Sequence, residues 1–209
     1  MTPVGGAWPV RAVDGPNDDR EKTTVSYRDT VLYNAYQEAA KPVHWARHEP
    51  RILEYFQVST GKPTTKAAAL QVSWCSYFVH WCLVKGGMSP LPRVGTAGEL
   101  GGMGSVGRFM KPVGGCYEAY GVYQRTYRPR PGDMYNRIKP NNHIGFIRDV
   151  REVGKGQYEI LTIDGNSGPL GFSPYFDASN LIGKGFIYLR PEWVRLGGEN
   201  WYIQLCEED

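Results

Sequence analysis

The sequence predicts an α+β fold in which N-terminal helices pack on a small antiparallel sheet. Apolar residues recur at helical spacing in the first part of the chain, and from about residue 117 they alternate with polar residues as in strands. A chain of 209 residues that is 41% hydrophobic and 13% aromatic can bury one core, so we expect a single domain over residues 25–209. Residues 1–24 are rich in Pro, Gly and Asp and lack a hydrophobic period, which predicts an irregular N-terminal arm.

The first two helices are indicated by apolar faces and by the residues that end them. Residues 27–41 carry an apolar face at helical spacing, and Pro42 ends the run. A second helix is predicted over about 49–58, with Gly61 and Pro63 as its stop. Its expected buried face consists of Ile52, Leu53 and Phe56.

The segment SWCSYFVHWCLVKGG, residues 73–87, predicts a third helix that is more apolar than the others. Ser73 is its predicted N-cap, and Gly86 and Gly87 form a stop signal. We expect it to be the central buried helix. The Gly-rich residues 88–116 then predict a long loop of the kind that often borders a site.

Three short strands are predicted in the second half of the chain. They are HIGFIRDV at 143–150, QYEILTID at 157–164 and KGFIYLR at about 184–190. Gly, Pro and Asn punctuate the segments between them. Helices first and strands second is the order typical of an α+β domain.

Composition and charge exclude several classes of protein. The net charge is only +3, and 24 basic residues are scattered among 21 acidic ones, so no nucleic-acid partner is expected. The N-terminus lacks a basic start followed by an apolar core, which predicts synthesis in the cytoplasm without a signal peptide. The longest apolar stretch, 77–84, is interrupted by His80 and is too short for a membrane anchor.

The four cysteines, at positions 75, 82, 116 and 206, form no CxxC pair and no other metal-ligand spacing. Neither a zinc site nor a disulfide framework is therefore expected, and free thiols are the default reading. His44 and His48 have the i, i+4 spacing of a metal pair, but no third ligand follows at suitable spacing. We predict no metal and no cofactor.

Cys75 is the cysteine best placed for chemistry. It falls at the second or third position of the predicted helix, where unpaired N–H groups and the macrodipole favour a thiolate and are expected to lower the thiol pKa. Cys82 lies two turns further along the same face, away from the positive end, and is read as a core residue.

Two of the predicted strands supply partners for such a thiolate. His143 opens the strand NHIGFI and shares one face of it with Gly145 and Ile147. Asp164 and Asn166 close the next strand in TIDGNSG, also on one face. A nucleophile, a base and an orienting group are the set that acyl transfer requires. Either Asp164 or Asn166 could be the orienting group, and DGN is also ordinary turn chemistry.

The ordered motifs SWCSYFVHWCLVKGG, RPGDMYNRI, NHIGFI and ILTIDGNSG resemble those of CHAP-type amidases, a branch of the NlpC-like, papain-like peptidoglycan hydrolases. The resemblance covers roughly residues 45–190. Upstream, HEPRILEYFQVSTG resembles the helix before the nucleophile in a phage-associated and secretion-associated subgroup. The resemblance implies a papain-like NlpC/CHAP fold for the domain.

Carried over by position, the resemblance implies Cys75 as nucleophile and His143 as base. Asn166 matches the family's Asn in its Gly-Asn turn, and Asp164 falls where members place a Glu or a small residue, so both stay candidates for the third catalytic group. Trp74 resembles the aromatic that walls the cleft. Tyr135, the tyrosine nearest to the catalytic strands, is a further candidate for substrate binding, although such rings more often pack on the core. The sequence departs from the family at Asn142, where a Gly is usual, and in the long 88–116 segment.

The function that the resemblance implies is cysteine-dependent hydrolysis of peptidoglycan amide bonds, as an amidase or an endopeptidase. Without a signal peptide the enzyme needs another route to the periplasm or cell wall of a target cell. We expect a type VI secretion effector, carried by the secretion apparatus and neutralised in the producer by an immunity protein. The alternatives are a phage lysis enzyme, a tail-associated structural module, and a cysteine acyltransferase or deamidase that acts on protein.

Overall fold

The computed structural model describes residues 26–41, 45–69, 74–87, 119–121, 128–137, 143–167, 186–196 and 201–204. Within these ranges the chain is a mixed helical and antiparallel β structure, so the predicted α+β class is confirmed. The predicted N-terminal arm and the predicted Gly-rich loop lie outside the described residues, as do Cys116 and Cys206.

The helices are α1 (Tyr27–Ala39), α2 (Trp45–Thr60), the short α3 (Lys66–Ala69) and α4 (Cys75–Lys85). Helix α1 begins as its sequence indicates, because the Ser26 side chain accepts a hydrogen bond from the N–H of Asp29 at 3.1 Å. Helix α2 begins one turn earlier than predicted and contains Pro50, whose missing N–H removes one intrahelical hydrogen bond. In the described part of the chain, no helix has the length and apolar character needed to cross a membrane.

Among the residues that the structure describes, seven antiparallel strands form one sheet. They are β1 (Ala119–Gly121), β2 (Met134–Arg137), β3 (His143–Gly154), β4 (Gln157–Ser167), β5 (Phe186–Leu189), β6 (Val194–Arg195) and β7 (Trp201–Gln204). The spatial order is β1-β7-β2-β3-β4-β5, and β6 pairs with β4 beyond the end of β5. The three predicted strands are therefore present as β3, β4 and β5, with ends that differ by a few residues.

The two faces of the sheet have different roles. Alternation along the strands places Met134, Ile144, Phe146 and Ile163 in the cluster that packs with α4. The helix approaches β4 closely at Gly165, which has no side chain. A Cβ there would lie 2.6 Å from Phe78 Cβ. On the other face, Tyr135 of β2, Gly145 of β3 and Asp164 of β4 are neighbours in the strand register. This face carries the polar groups described below.

Candidate active site

Cys75 is the first residue of α4. Trp74 occupies the N-cap position, one residue later than the predicted Ser73, and it makes no side-chain capping hydrogen bond. The first intrahelical bond runs from the N–H of Phe78 to the carbonyl oxygen of Trp74 at 3.0 Å. The N–H groups of Cys75 and Ser76 therefore lie in the first turn, before the first intrahelical hydrogen bond. The helix macrodipole is positive at this end and favours an anion.

His143 joins the sheet to this helix start. It is the first residue of β3, and its Nε2 lies 3.2 Å from Oδ1 of Asp164 on β4. Its side chain is also hydrogen bonded to Cys75. Because an imidazole has two ring nitrogens and Nε2 faces the carboxylate, Nδ1 is the nitrogen left for the thiol. The structure thus brings together Cys75, His143 and Asp164 in one chain of contacts.

This arrangement favours charged forms of His143 and Asp164 despite their burial. Burial works to lower the pKa of His143, but hydrogen bonds to Asp164 and Cys75 outweigh it and raise the pKa to about 9. Burial works to raise the pKa of Asp164, but the His143 hydrogen bond and the positive charges of His143 and Arg190 hold it below its ordinary value. At neutral pH the pair is therefore an imidazolium beside a carboxylate.

Two hydroxyl groups further fix the Asp164 carboxylate. Tyr135 on β2 donates its phenolic O–H to Oδ1, and Thr162 donates to Oδ2 at 2.6 Å. Gly145 lies directly across from both Tyr135 and Asp164 in the strand register, and a Cβ there would lie 2.8 Å from the Tyr135 ring and would contact the carboxylate. The missing side chain at Gly145 is what lets the carboxylate and the phenol meet.

Cys82 differs from Cys75 in its electrostatic surroundings. It is fully buried in α4, and burial together with the negative charge of Glu38 raises its thiol pKa well above the ordinary value. A thiol in such a place stays protonated and unreactive. The reading of Cys82 as a core residue agrees with this environment.

Asn166 is the other candidate for the third catalytic group. Asn166 is buried near the end of β4 with a φ of 52°, the left-handed region that Asn tolerates better than most residues. Both His143 ring nitrogens already have partners in Asp164 and Cys75, so the geometry favours Asp164 as the orienting group.

The two residues predicted to bind substrate are fully buried. The Trp74 ring packs 5.9 Å from that of Tyr55 in the helical core, and Tyr135 is turned toward Asp164. The predicted substrate contact of Trp74 would require its ring to leave the core. In this structure Tyr135 supports the carboxylate and presents no open ring face to a ligand.

The sequence analysis missed three members of the cluster. They are Thr162, Arg190 and Gly145, whose missing side chain leaves room for the Asp164 carboxylate and the Tyr135 ring. Thr162 could have been found from the two-residue period of β4, which places it on the same face as Asp164. Arg190 follows β5, and its position opposite Thr162 depends on a strand pairing that the sequence does not reveal.

The reactive groups are largely covered. Cys75 is 2% exposed and His143 is 8% exposed, so a molecule that reacts at Sγ would need a local movement of the chain to reach it. Among the residues that the structure describes, no group of three His, Cys, Asp or Glu side chains is arranged to hold a metal ion. The side chains of His44 and His48 lie outside the described part.

No protein-family model, curated protein or solved structure matches the chain.

Proposed function

We propose that this protein is a cysteine-dependent peptidoglycan hydrolase with a papain-like NlpC/CHAP fold. One observation carries the proposal: Cys75, at the positive end of α4, contacts His143, whose Nε2 faces the buried carboxylate of Asp164. A nucleophile, a base and an orienting group in this order are what acyl transfer needs. The resemblance of the surrounding motifs to CHAP-type amidases supports the cell wall as substrate.

The chemistry follows from the roles of the three groups. The Cys75 thiolate attacks an amide carbonyl, and the His143 imidazolium gives its proton to the leaving amine as the C–N bond breaks. Neutral His143 then takes a proton from water, the resulting hydroxide attacks the thioester, and Sγ leaves as thiolate. The backbone N–H groups at the start of α4 would stabilise the oxyanion in both steps.

The biological setting is part of the same proposal. We infer that the protein is a type VI secretion effector acting in the periplasm of a rival cell, because HEPRILEYFQVSTG resembles a helix of a phage-associated and secretion-associated subgroup of these hydrolases. A carrier in the secretion apparatus and an immunity protein in the producer would be its partners.

The proposal is tested by exporting the protein to the periplasm of a bacterium through an added signal peptide. We expect wild type to lyse cells and to change their muropeptide profile, and we expect Cys75→Ala to do neither. Cys82→Ala is the matched control, because Cys82 lies in the same helix but away from its start. Equal growth and identical muropeptide profiles for wild type and Cys75→Ala would refute the hydrolase.

The low exposure of Cys75 is the observation that favours a second candidate, a non-catalytic structural module such as a phage tail component. The two differ in thiol reactivity. A hydrolase predicts that native protein is alkylated at Cys75 by iodoacetamide at neutral pH, with Cys82 unlabelled. A structural module predicts that both thiols stay unlabelled until the protein is denatured.

A further inference from the structure

Arg190 is a buried cation that the mechanism above does not use. Its backbone N–H donates to the carbonyl oxygen of Thr162 at 3.0 Å, so it extends the β5–β4 pairing and stands opposite Thr162. Residues paired in this way point to the same face, which is also the face of Asp164. Only 3% of Arg190 is exposed, and its Nε lies 3.7 Å from Oδ2 of Asp164.

The groups that surround this pair come from several elements. Asp164 meets His143 from β3, Tyr135 from β2 and Thr162 from its own strand. Arg190 meets two further groups: its guanidinium carbon lies 5.0 Å from the Tyr188 ring centre, and its Nη1 lies 3.8 Å from the Glu192 carboxylate. Glu192 is 62% exposed and therefore screened by water, so its carboxylate interacts with Arg190 more weakly than the buried Asp164 carboxylate does.

The charge of the cluster changes during the proposed reaction. While His143 is an imidazolium, it compensates Asp164 directly. Once His143 has given its proton to the leaving amine, the carboxylate would be a buried anion without a cation, which is costly. The Arg190 guanidinium carries a positive charge, as arginine does in proteins, and its Nε lies 3.7 Å from the other carboxylate oxygen, so it compensates Asp164 at that stage.

We propose that Arg190 is a positioning residue that keeps Asp164 ionised while His143 is neutral, so that the carboxylate holds the imidazole in place through the whole reaction cycle. The purpose of this role depends on the proposed function. The electrostatic interaction between Arg190 and Asp164 depends on the fold alone. Arg190 touches neither the thiol nor the substrate in this account. It acts through Asp164.

The test is the pH titration of the Asp164 carboxyl group, followed by NMR of its side-chain carbon in full chains that carry His143→Gln, because the native imidazolium would compensate Asp164 in the acid range where a carboxyl group titrates. Relative to His143→Gln alone, we expect Arg190→Met and Arg190→Gln to raise the midpoint by about one pH unit or more, because a nearby opposite charge is lost. Arg190→Lys keeps the charge and should restore most of the difference. Glu192→Gln is the matched control, since it removes an exposed neighbour of Arg190, and its midpoint should equal that of His143→Gln alone.

The outcomes separate the two proposals. If the folded charge-free variants titrate as His143→Gln alone does, or if Arg190→Lys shifts the midpoint as far as Arg190→Met, Arg190 is only a structural residue and the inference is overturned. Should Arg190→Met fail to fold, Arg190→Gln carries the comparison. If the carboxyl shifts as expected but no variant, including wild type, hydrolyses peptidoglycan, the inference stands and the hydrolase proposal fails.

Discussion

His143 shows how three contacts decide the chemistry of one residue. Alone in the interior, an imidazole would be neutral at pH 7, because burial penalises the charged form. The hydrogen bonds to Asp164 and Cys75 reverse this and raise its pKa from 6.5 to about 9. The charged form therefore stabilises the fold fully below pH 6.5, and this contribution is lost as the pH rises through 9.

The raised pKa predicts the alkaline limit of activity. The leaving amine needs a proton from the imidazolium, so hydrolysis should fall as the pH passes about 9. The rate measured against pH checks this.

Removing the Cys75 thiol removes one of the groups that raise the His143 pKa, so NMR titration of Cys75→Ala should give a lower His143 midpoint than wild type. An unchanged midpoint would argue against the thiol–imidazole contact.

Gly145 predicts a site-specific steric effect. A Cβ at this position would contact the Asp164 carboxylate and lie 2.8 Å from both the Tyr135 ring and the carbonyl oxygen of Ile163. We expect Gly145→Ala to destabilise the protein by about 1–3 kcal/mol, as overpacking does, and to displace Asp164 from His143. Gly154→Ala in the same strand is the control, because a Cβ at Gly154 would lie 3.4 Å from its nearest neighbour, Oε1 of Gln157. Equal denaturation midpoints for the two variants would contradict this packing.

Among the elements, helices α1, α2 and α4 are held together by a polar network around Glu38. This carboxylate is 1% exposed, accepts the Tyr55 hydroxyl at 2.6 Å and the Arg51 Nε at 2.7 Å, and has a second contact with the Arg51 guanidinium. The same guanidinium lies 4.5 Å from the Trp81 ring of α4. The network fixes how α4, and hence Cys75, sits on the other helices.

Glu38 predicts an acid-sensitive contribution to stability. Burial works to raise its pKa, but hydrogen bonds from Arg51 and Tyr55 outweigh this and lower it. The contribution is present above the unfolded pKa near 4.5 and is lost as the pH falls through the lower folded value. We expect Glu38→Gln to lower the free energy of unfolding by about 1–3 kcal/mol at pH 7 and by less in acid, measured by urea denaturation.

The control for this network is an exposed ion pair. Glu49 and Lys66 are 2.6 Å apart with both side chains partly in water, so Glu49→Gln should change stability by less than about 1 kcal/mol. If Glu38→Gln cost no more than Glu49→Gln, the network would not be what holds the helices together.

The elements also show where sequence reasoning stops. Helix α4 and strands β3 and β4 have strong periods and clear stop signals, and they were predicted with the correct type. The start of α2 was placed about one turn too late, and the observed helix contains Pro50 in its interior, a position where proline is usually disfavoured. Strands β1, β6 and β7 have two to four residues each, too few for a period, and they form because neighbouring strands supply their hydrogen bonds.

On the scale of the whole molecule, the sequence predicted that Cys75, His143 and a group in DGN could meet, but it could not choose the third group. Asp164 and Asn166 share a face in an ideal strand. The choice depends on the positive φ of Asn166 and on the hydroxyls of Tyr135 and Thr162, which come from strand pairing. Arg190 was unpredictable for the same reason, since its partner lies on another strand.

The whole molecule also limits access to the thiol. With Cys75 2% exposed, alkylation in the native state should depend on the size of the reagent. We expect iodoacetamide to label Cys75 faster than a bulky maleimide by about tenfold or more, whereas denatured protein should react similarly with both after correction for intrinsic reactivity. Peptide mass spectrometry locates the label. Equal native rates would mean that the thiol is open to solvent.

Digestion of purified peptidoglycan, followed by mass spectrometry of the soluble fragments, shows directly whether Cys75 is the nucleophile of a wall hydrolase. We expect wild type and Cys82→Ala to release fragments in which one amide has gained the elements of water. Cys75→Ala and His143→Ala should be slower by at least about a thousandfold, because the nucleophile and its acid act as a unit. Intact peptidoglycan after incubation with folded wild type, or equal release by Cys75→Ala, would contradict the account.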